Sequence, residues 1–518
     1  MESRGGLYYC IVLLFVVNSS CHRADHRAGF VKFFISNPEE FVDVEVKLQK
    51  TLPRWFKGVY IRNGVGLFEV GGRRLLHALD GFTKLTSFNF TSPNTLGFSS
   101  KFLRSGFYND STKSKSIAPY LLLGDVEPHF SLFEKLRSFA NGVDNVNVNV
   151  IQFSNDTDSM VAVSDIWRVY EMNTRGLVTT KRIDANLPGG DLQLRKSMTL
   201  STAHPLLEEA SGAHIGFCVS AMPLPGFKNG INVVRIFSAE RRELVAHIPR
   251  KTIPYMHGLA LASHYAVIFA HPAFINLWAV VSGGSLLSSI KWKPNYQMSI
   301  YVVDLQTGAT IRIKTSPMFV MHFVNSFTSK DNLIIDMITY KDDSFMHSLN
   351  LDNLRRGLVP PAAGTLSRFT INIAERSVSV DSLPSTLPQT SHFDLPNIHE
   401  KLRYKPYCYV YGITSFDFGP RKQYRVCLVK RDLCSNGKGD RMWCHNARVP
   451  TEPWFEPNPN ATEEDDGLLI TLTMDNDENK SHLVFLDAKR MKMVNEASLP
   501  TWVPFTIHGN MFRRDLYV

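Results

Sequence analysis

Short apolar runs separated by polar, turn-forming clusters recur along the middle of this chain. Almost nowhere do apolar residues return at the three-and-four spacing of an amphipathic helix. Residues 146–151, 161–163, 231–237, 265–269, 333–340 and 468–474 are such runs, and each predicts a buried strand. A hairpin style recurs at 169–177, 301–309 and 484–491, where an apolar stretch meets a polar turn and a returning strand, although no close sequence repeat accompanies it. The pattern predicts an all-β chain. Two stretches break it. Residues 130–139 space Phe130, Phe133, Leu136 and Phe139 along one face with Lys135 and Arg137 between them, as an interfacial helix does. Residues 274–287 are a second apolar stretch, broken by Gly283 and Gly284 and too short to span a bilayer.

With 518 residues, 44% hydrophobic and 20% charged, the chain can bury one large core, and β architectures of this length need not split into domains. One domain over residues 22–518 is expected. Ahead of it, residues 1–6 form a basic-containing lead, 7–17 an apolar run and 18–21 a small-residue tail, so residues 1–21 read as a secretory signal peptide or an uncleaved N-terminal anchor. That implies the lumen of the endoplasmic reticulum or secretion, with membrane association, the alternative being the cytoplasmic face of membranes. The net charge of +9 fits attraction to anionic lipid, hence peripheral membrane contact. The basic residues are dispersed and no nucleic-acid-binding motif occurs, which argues against nucleic acid as a partner. Sequons at Asn89, Asn109, Asn155, Asn460 and Asn479 permit glycosylation without fixing the compartment. Cys434 and Cys444 flank a Gly-Lys-Gly loop and are a candidate disulfide in an oxidising lumen.

Candidate chemistry sits in four histidines, each in an apolar strand-like segment: His204 in Ser-Thr-Ala-His-Pro, His257 in Tyr-Met-His-Gly, His322 in Met-His-Phe and His508 in Pro-Phe-Thr-Ile-His-Gly. A polar ring is out of place in such surroundings unless something binds it. Taken singly, each is more simply a satisfied core residue. Together, four neutral imidazoles without thiolate or carboxylate suit a first-row metal that keeps its charge. Structural zinc usually takes thiolates and catalytic zinc three ligands plus water, so iron with dioxygen is the better match.

The flanking motifs carry a resemblance. Arg62-Asn63-Gly64-Val65-Gly66 running to Gly71, His77-Ala78-Leu79-Asp80-Gly81, Glu464-Asp465-Asp466-Gly467 and the stretch from Pro504 to Gly509 occur in the order found in carotenoid cleavage oxygenases. From about Pro53 to Phe512 the chain resembles that family, in its branch of animal β-carotene oxygenases and the retinal pigment epithelium isomerohydrolase. The resemblance implies a seven-bladed β-propeller with a helical and loop cap over an axial iron site. His204, His257, His322 and His508 would hold one Fe(II) per chain, with no organic cofactor. Asp165, Asp394 and Glu452 match the acids that receive the histidines' other ring N–H. The family usually has glutamate at all three, so the two aspartates require a closer backbone or a bridging water. Two further departures stand out: Val65 replaces the usual proline of the Arg-Asn-Gly turn, and the place of a Pro-Asp-Pro-Cys-Lys stretch in several vertebrate relatives reads Glu127-Pro128-His129-Phe130, without the cysteine that acylation would need.

The implied activity is oxidative cleavage of a carbon–carbon double bond in a carotenoid or apocarotenoid, with carbonyl products such as retinal. No nucleophile, acid–base pair or phosphate loop is needed beyond the metal centre. Phe68, Tyr255, Phe323, Trp454 and Phe505 are candidate tunnel residues. The competing functions are a retinoid isomerohydrolase using the metal as a Lewis acid on a retinyl ester, and a propeller that binds a carotenoid or retinoid without turnover.

Overall fold

A computed structural model of the chain describes residues 25–153, 158–184, 198–222, 226, 228–359, 364–387, 392–420 and 422–513. The leader expected over residues 1–21 and the sequon at Asn155 lie outside the described residues. The chain is predominantly β, as its patterning predicts. The run at 231–237 becomes the strand Gly230–Ile236, that at 265–269 Tyr265–Ala270, that at 333–340 Asn332–Tyr340 and that at 468–474 Gly467–Asp475.

Among the described residues, seven antiparallel sheets of four or five strands follow one another, with two smaller sheets beside them. The first sheet takes both ends of the chain: Phe41–Lys47, Gly58–Leu67, Phe82–Phe90 and Thr95–Phe102 are joined by the last strand, Thr506–Phe512, which pairs with Gly58–Leu67. The other six run up and down in chain order, beginning with Asn149–Ile151, Met198–Ser201, Ala260–Ala262, Phe319–Ser329, Asp394–Asn397 and Arg448–Pro450.

The apolar core is divided among the spaces between these sheets. One buried cluster joins Ile215 and Val233 of the third sheet to Ile268 and Tyr301 of the fourth, and another joins Phe269 and Ile300 of the fourth to Ile335 and Phe369 of the fifth. Tyr411 and Leu428 of the sixth meet Leu469 and Val484 of the seventh. The largest step in sequence is also covered, since Tyr60, Phe88 and Phe98 of the first sheet pack against Ile470, Leu483 and Phe485 of the seventh. First strands of successive sheets also touch: Ala260–Ala262 packs on Phe319–Ser329, and Phe319–Ser329 on Asp394–Asn397.

Two disulfides correct the cysteine expectation. Cys434 pairs with Cys408 and Cys444 with Cys427, so the two cysteines of the Gly-Lys-Gly loop are bonded, but not to each other. Both bridges belong to the sixth sheet, where Gln423–Asp432 lies between Tyr409–Phe418 and Arg441–Trp443 and brings cysteines distant in sequence side by side.

The apolar stretch at 130–139 forms the helix Leu132–Asn141. It starts from a capping box in which Ser131 and Glu134 satisfy each other's backbone N–H groups. The stretch at 274–287 makes two short helices, Leu277–Val281 and Leu286–Ser289, separated at Gly283, whose φ of +89° only glycine adopts without strain. No helix among the described residues is long and apolar enough to cross a membrane.

Candidate metal centre

His322 lies in the strand Phe319–Ser329 and His508 in Thr506–Phe512, while His204 and His257 occupy the irregular segments beside the first strands of the third and fourth sheets. The expectation of a strand for every histidine therefore fails for two. A ligand atom from each of the four lies within 4.8 Å of every other. His204 Nε2 and His257 Nε2 are 2.9 Å apart. The rings meet edge to face, with centroids 4.7 Å apart for His204 and His508, 5.1 Å for His322 and His508, and 5.5 Å for His257 and His322.

Three of the rings are aimed by carboxylates. His257 Nδ1 donates to Asp165 at 2.7 Å, His322 Nδ1 to Asp394 at 2.6 Å and His508 Nδ1 to Glu452 at 2.6 Å. Each bond leaves Nε2 bare and turned toward the other rings. The aspartates reach their histidines directly, without a bridging water. Among the described residues His204 has no acid partner: Thr202 Oγ1 accepts from its backbone N–H at 2.9 Å and donates to the carbonyl of His257 at 2.8 Å, tying the two segments together.

Burial, reinforced by the neighbouring imidazoles, holds His204 and His508 well below the usual histidine range. Burial also works to lower His322, but the charge and hydrogen bond of Asp394, with Glu452 and Asp165 behind them, outweigh it and raise the ring. Burial would raise Asp394, yet His322 and Tyr340 keep it below the usual range. Glu452 stays raised by burial against the pull of Arg62. His508 Nε2 is a buried polar atom with no hydrogen-bond partner among the described residues. Such an atom is costly unless a cation meets it. The donor set therefore fits a metal ion.

Sequence reasoning left the next layer without roles. Arg62, 1% exposed in the middle of an apolar strand, pairs with Glu452 and also donates to Thr506 Oγ1 at 3.1 Å and the carbonyl of Ile507 at 3.1 Å. It thus holds both the acid behind His508 and the strand carrying His508. Asn63 donates to the carbonyls of Val146 and Asn149 at 2.8 Å each, and Asn149 donates to that of Ala203, next to His204, at 3.1 Å. At Gly64 a Cβ would stand 2.3 Å from the carbonyl oxygen of Phe505, so only glycine lets the last strand come this close. Val65, where the resemblance would put a proline, donates its N–H to that same oxygen at 3.0 Å, a bond proline could not make. Tyr255 donates to Asp165 at 3.2 Å and Tyr340 to Asp394, so both aspartates take a tyrosine hydroxyl. The detectable signals were an arginine inside an apolar strand and Tyr255, two positions before His257.

Two cavities meet at the histidines. The apolar one, about 280 Å³, is bordered by His257, His322 and His508 and by Tyr255, Tyr340 and Phe505. The polar one, about 550 Å³, is bordered by His204, His322 and His508 with Asn325, Arg403 and Tyr404. Among the tunnel candidates, Tyr255 and Phe505 border the apolar cavity, whereas Phe323 and Trp454 border the polar one. Phe68 borders neither. It is fully buried beneath the Arg355 guanidinium, packed with Phe34 and Val65.

Leu121, Leu122, Leu123 and Leu286 line the apolar cavity, and the carbonyls of Leu122 and Leu123 accept from the N–H groups of Leu286 and Leu287. The helices beside them present Leu132, Phe133, Leu136 and Trp278 to solvent, Phe133 with 85% of its surface exposed. An apolar surface thus adjoins the wall of an apolar cavity.

A four-histidine centre on a sheet scaffold of this kind defines a class, and sequence comparison names it. A model of the family described as "RPE65: Retinal pigment epithelial membrane protein" matches residues 34–513, and the chain belongs to that family. It is 24% identical to human β,β-carotene 15,15′-dioxygenase over 91% of this chain and 92% of that one. Among solved structures it is similar in fold to a variant of the Synechocystis apocarotenoid oxygenase, with a TM-score of 0.78 and 23% identity over 94% of this chain and 99% of that one. The cobalt-substituted form of that oxygenase matches equally, with a TM-score of 0.78 and 23% identity over 94% of this chain and 98% of that one.

Proposed function

We propose that this protein is a carotenoid-cleaving dioxygenase whose four histidines hold a single Fe(II). The observation that carries the reading is the convergence of four imidazole nitrogens within 4.8 Å beside an apolar cavity. The names of its relatives, carotene and apocarotenoid oxygenases, and the cobalt substitution recorded for one of them agree with it. When bound, the iron supplies dioxygen activation next to an electron-rich double bond. The two oxygen atoms end in two carbonyl groups, so no external reductant is required.

The chain's own residues do the rest. Asp165, Asp394 and Glu452 each fix one ring and keep its Nε2 free for the metal. Three carboxylates would overbalance a divalent ion, and Arg62 makes the buried cluster neutral. The apolar wall excludes water and leaves a polyene as the fitting occupant.

The scaffold is read as a seven-bladed β-propeller with the metal on its axis. Seven sheets in succession, buried clusters between them, and a cluster joining first to last support that reading. The exposed face of Leu132, Phe133, Leu136 and Trp278, beside the cavity wall, docks on a membrane surface from which an apolar substrate enters. Two disulfides in one sheet support folding in an oxidising compartment, which suits the secretory leader.

The test is metal analysis of the purified protein followed by incubation with β-carotene and apocarotenals, with and without dioxygen. Retinal or an apocarotenal formed only in air is the expected result. Turnover of a retinyl ester without dioxygen would replace this reading by the isomerohydrolase. Iron-loaded protein that makes no product from any polyene would leave only binding.

A further inference from the structure

The family match begins at Phe34, yet the structure continues in front of it with the helix Arg27–Lys32. Two rings of this segment, Phe30 and Phe34, border the apolar cavity. Phe30 stands edge-on to Tyr424 at 6.0 Å and Phe34 lies 5.5 Å from Phe505, three positions before a histidine of the centre. Both Tyr424 and Phe505 border the same cavity.

The segment is pinned at both ends. His26, with no exposed surface, uses both ring nitrogens: Nδ1 accepts from Val426 N–H at 3.0 Å, and Nε2 donates to the carbonyl of His445 at 2.7 Å. Its backbone N–H donates to the carbonyl of Tyr424 at 2.8 Å. Of these partners, Val426 adjoins Cys427 and His445 adjoins Cys444, so the anchor grips a pair of segments cross-linked by the Cys427–Cys444 bridge. Lys32 Nζ donates to the carbonyls of Asp475, Asn476 and Glu478 at 2.7–3.1 Å. Gly29 fits against Asn476 where a Cβ would lie 2.6 Å from its side-chain oxygen. At the far end, the carbonyl of Phe33 accepts from Phe505 N–H at 2.9 Å and that of Phe34 from Arg355 Nε at 2.8 Å. A wall held in this way cannot yield to a longer ligand.

We propose that residues 25–34 form a fixed length gauge of the substrate cavity: Phe30 and Phe34 limit how much of a polyene passes the histidine centre, and so set which double bond is presented for cleavage. The proposal rests on the cleavage reading above and adds its specificity. Pocket depth discriminates steeply, since a single methylene changes kcat/KM by about 10- to 200-fold.

The experiment uses the full-length, iron-loaded protein and a graded series of all-trans apocarotenals with β-carotene. Product lengths are read by chromatography, and anaerobic binding by quenching of tryptophan fluorescence. Phe30→Ala and the milder Phe34→Leu should move the long-to-short ratio of kcat/KM by at least about tenfold toward longer substrates or longer retained fragments, and Phe30→Trp should move it the other way. Anaerobic affinities should follow the same order. A native enzyme that cleaves the series while folded variants keep its product lengths and binding order overturns the gauge alone. A native enzyme that cleaves none of the series and binds it in no order of length overturns the gauge together with the cleavage reading.

Discussion

Arg62 carries more of the site than its place in a turn motif announces. It is nearly without exposed surface, and among the described residues its one charged partner is Glu452, whose other oxygen takes the Nδ1–H of His508. Replacing it with methionine keeps much of the volume but leaves a buried carboxylate unpaired, a change that costs about 3–5 kcal/mol. Arg62→Met should therefore lower the denaturation midpoint and bind iron weakly. Glu452→Gln leaves the buried guanidinium without its counter-charge, so it too should lower the midpoint, and it should lose metal affinity about 10- to 100-fold. Equal iron binding by native and Arg62→Met protein would count against this relay. The histidines are legible in the sequence because a polar ring in an apolar segment is conspicuous. The roles of Arg62, Tyr255 and Tyr340 are not, because they lie in contacts to distant residues, as far as 445 positions away between Arg62 and Ile507.

At the scale of the element, the strand Gly58–Leu67 must approach Thr506–Phe512 closely enough for the last strand to present His508. Gly64 is where that approach is tightest, and Gly64→Ala would force its new carbon into the carbonyl of Phe505. Separating the two strands should cost about 1–3 kcal/mol, the usual range for overpacking, and should weaken metal binding because His508 moves with its strand. Chelator competition and denaturant melts check both. Unchanged values would show that the strands part freely without disturbing the centre. Strand existence was readable from apolar runs, and the helix at Leu132–Asn141 from its spacing and its Ser-x-x-Glu start. Cysteine pairing was not: four cysteines admit three connectivities, and the choice follows from which strands lie side by side in the sixth sheet. His204 and His257 likewise sit in apolar sequence without strand pairing, a distinction that local pattern cannot make.

For the molecule as a whole, the buried histidines outside the centre fix how stability depends on pH. His26, His77 and His482 are each pushed down to about 4, first by burial. The hydrogen bonds agree for the first two: His77, like His26, accepts from a backbone N–H, that of Leu79, and its Nε2 lies 2.9 Å from the carbonyl of Met346. A second ring proton would point at an N–H. In the unfolded chain these rings take up protons near pH 6.5. Their stability is therefore fully present above 6.5 and is lost as pH falls toward 4. Asp80 runs the other way, because burial raises it to about 7 despite the N–H groups of Leu123 and Gly124 that bond it. Its contribution is present below its unfolded value near 3.8 and lost as pH rises through 7. Between pH 4 and 6.5 these four groups alone make the unfolded chain bind about two more protons than the folded one, three from the histidines less one for Asp80, a contribution of about 2.7 kcal/mol per pH unit. Urea midpoints of the metal-free protein should fall steeply below pH 6.5, and His26→Gln, which can keep one donor and one acceptor, should remove about a third of the histidine share of that slope. A midpoint that stays level from pH 7 to pH 4 would mean that these rings are not held neutral, and the anchoring role given to His26 would lose its electrostatic support.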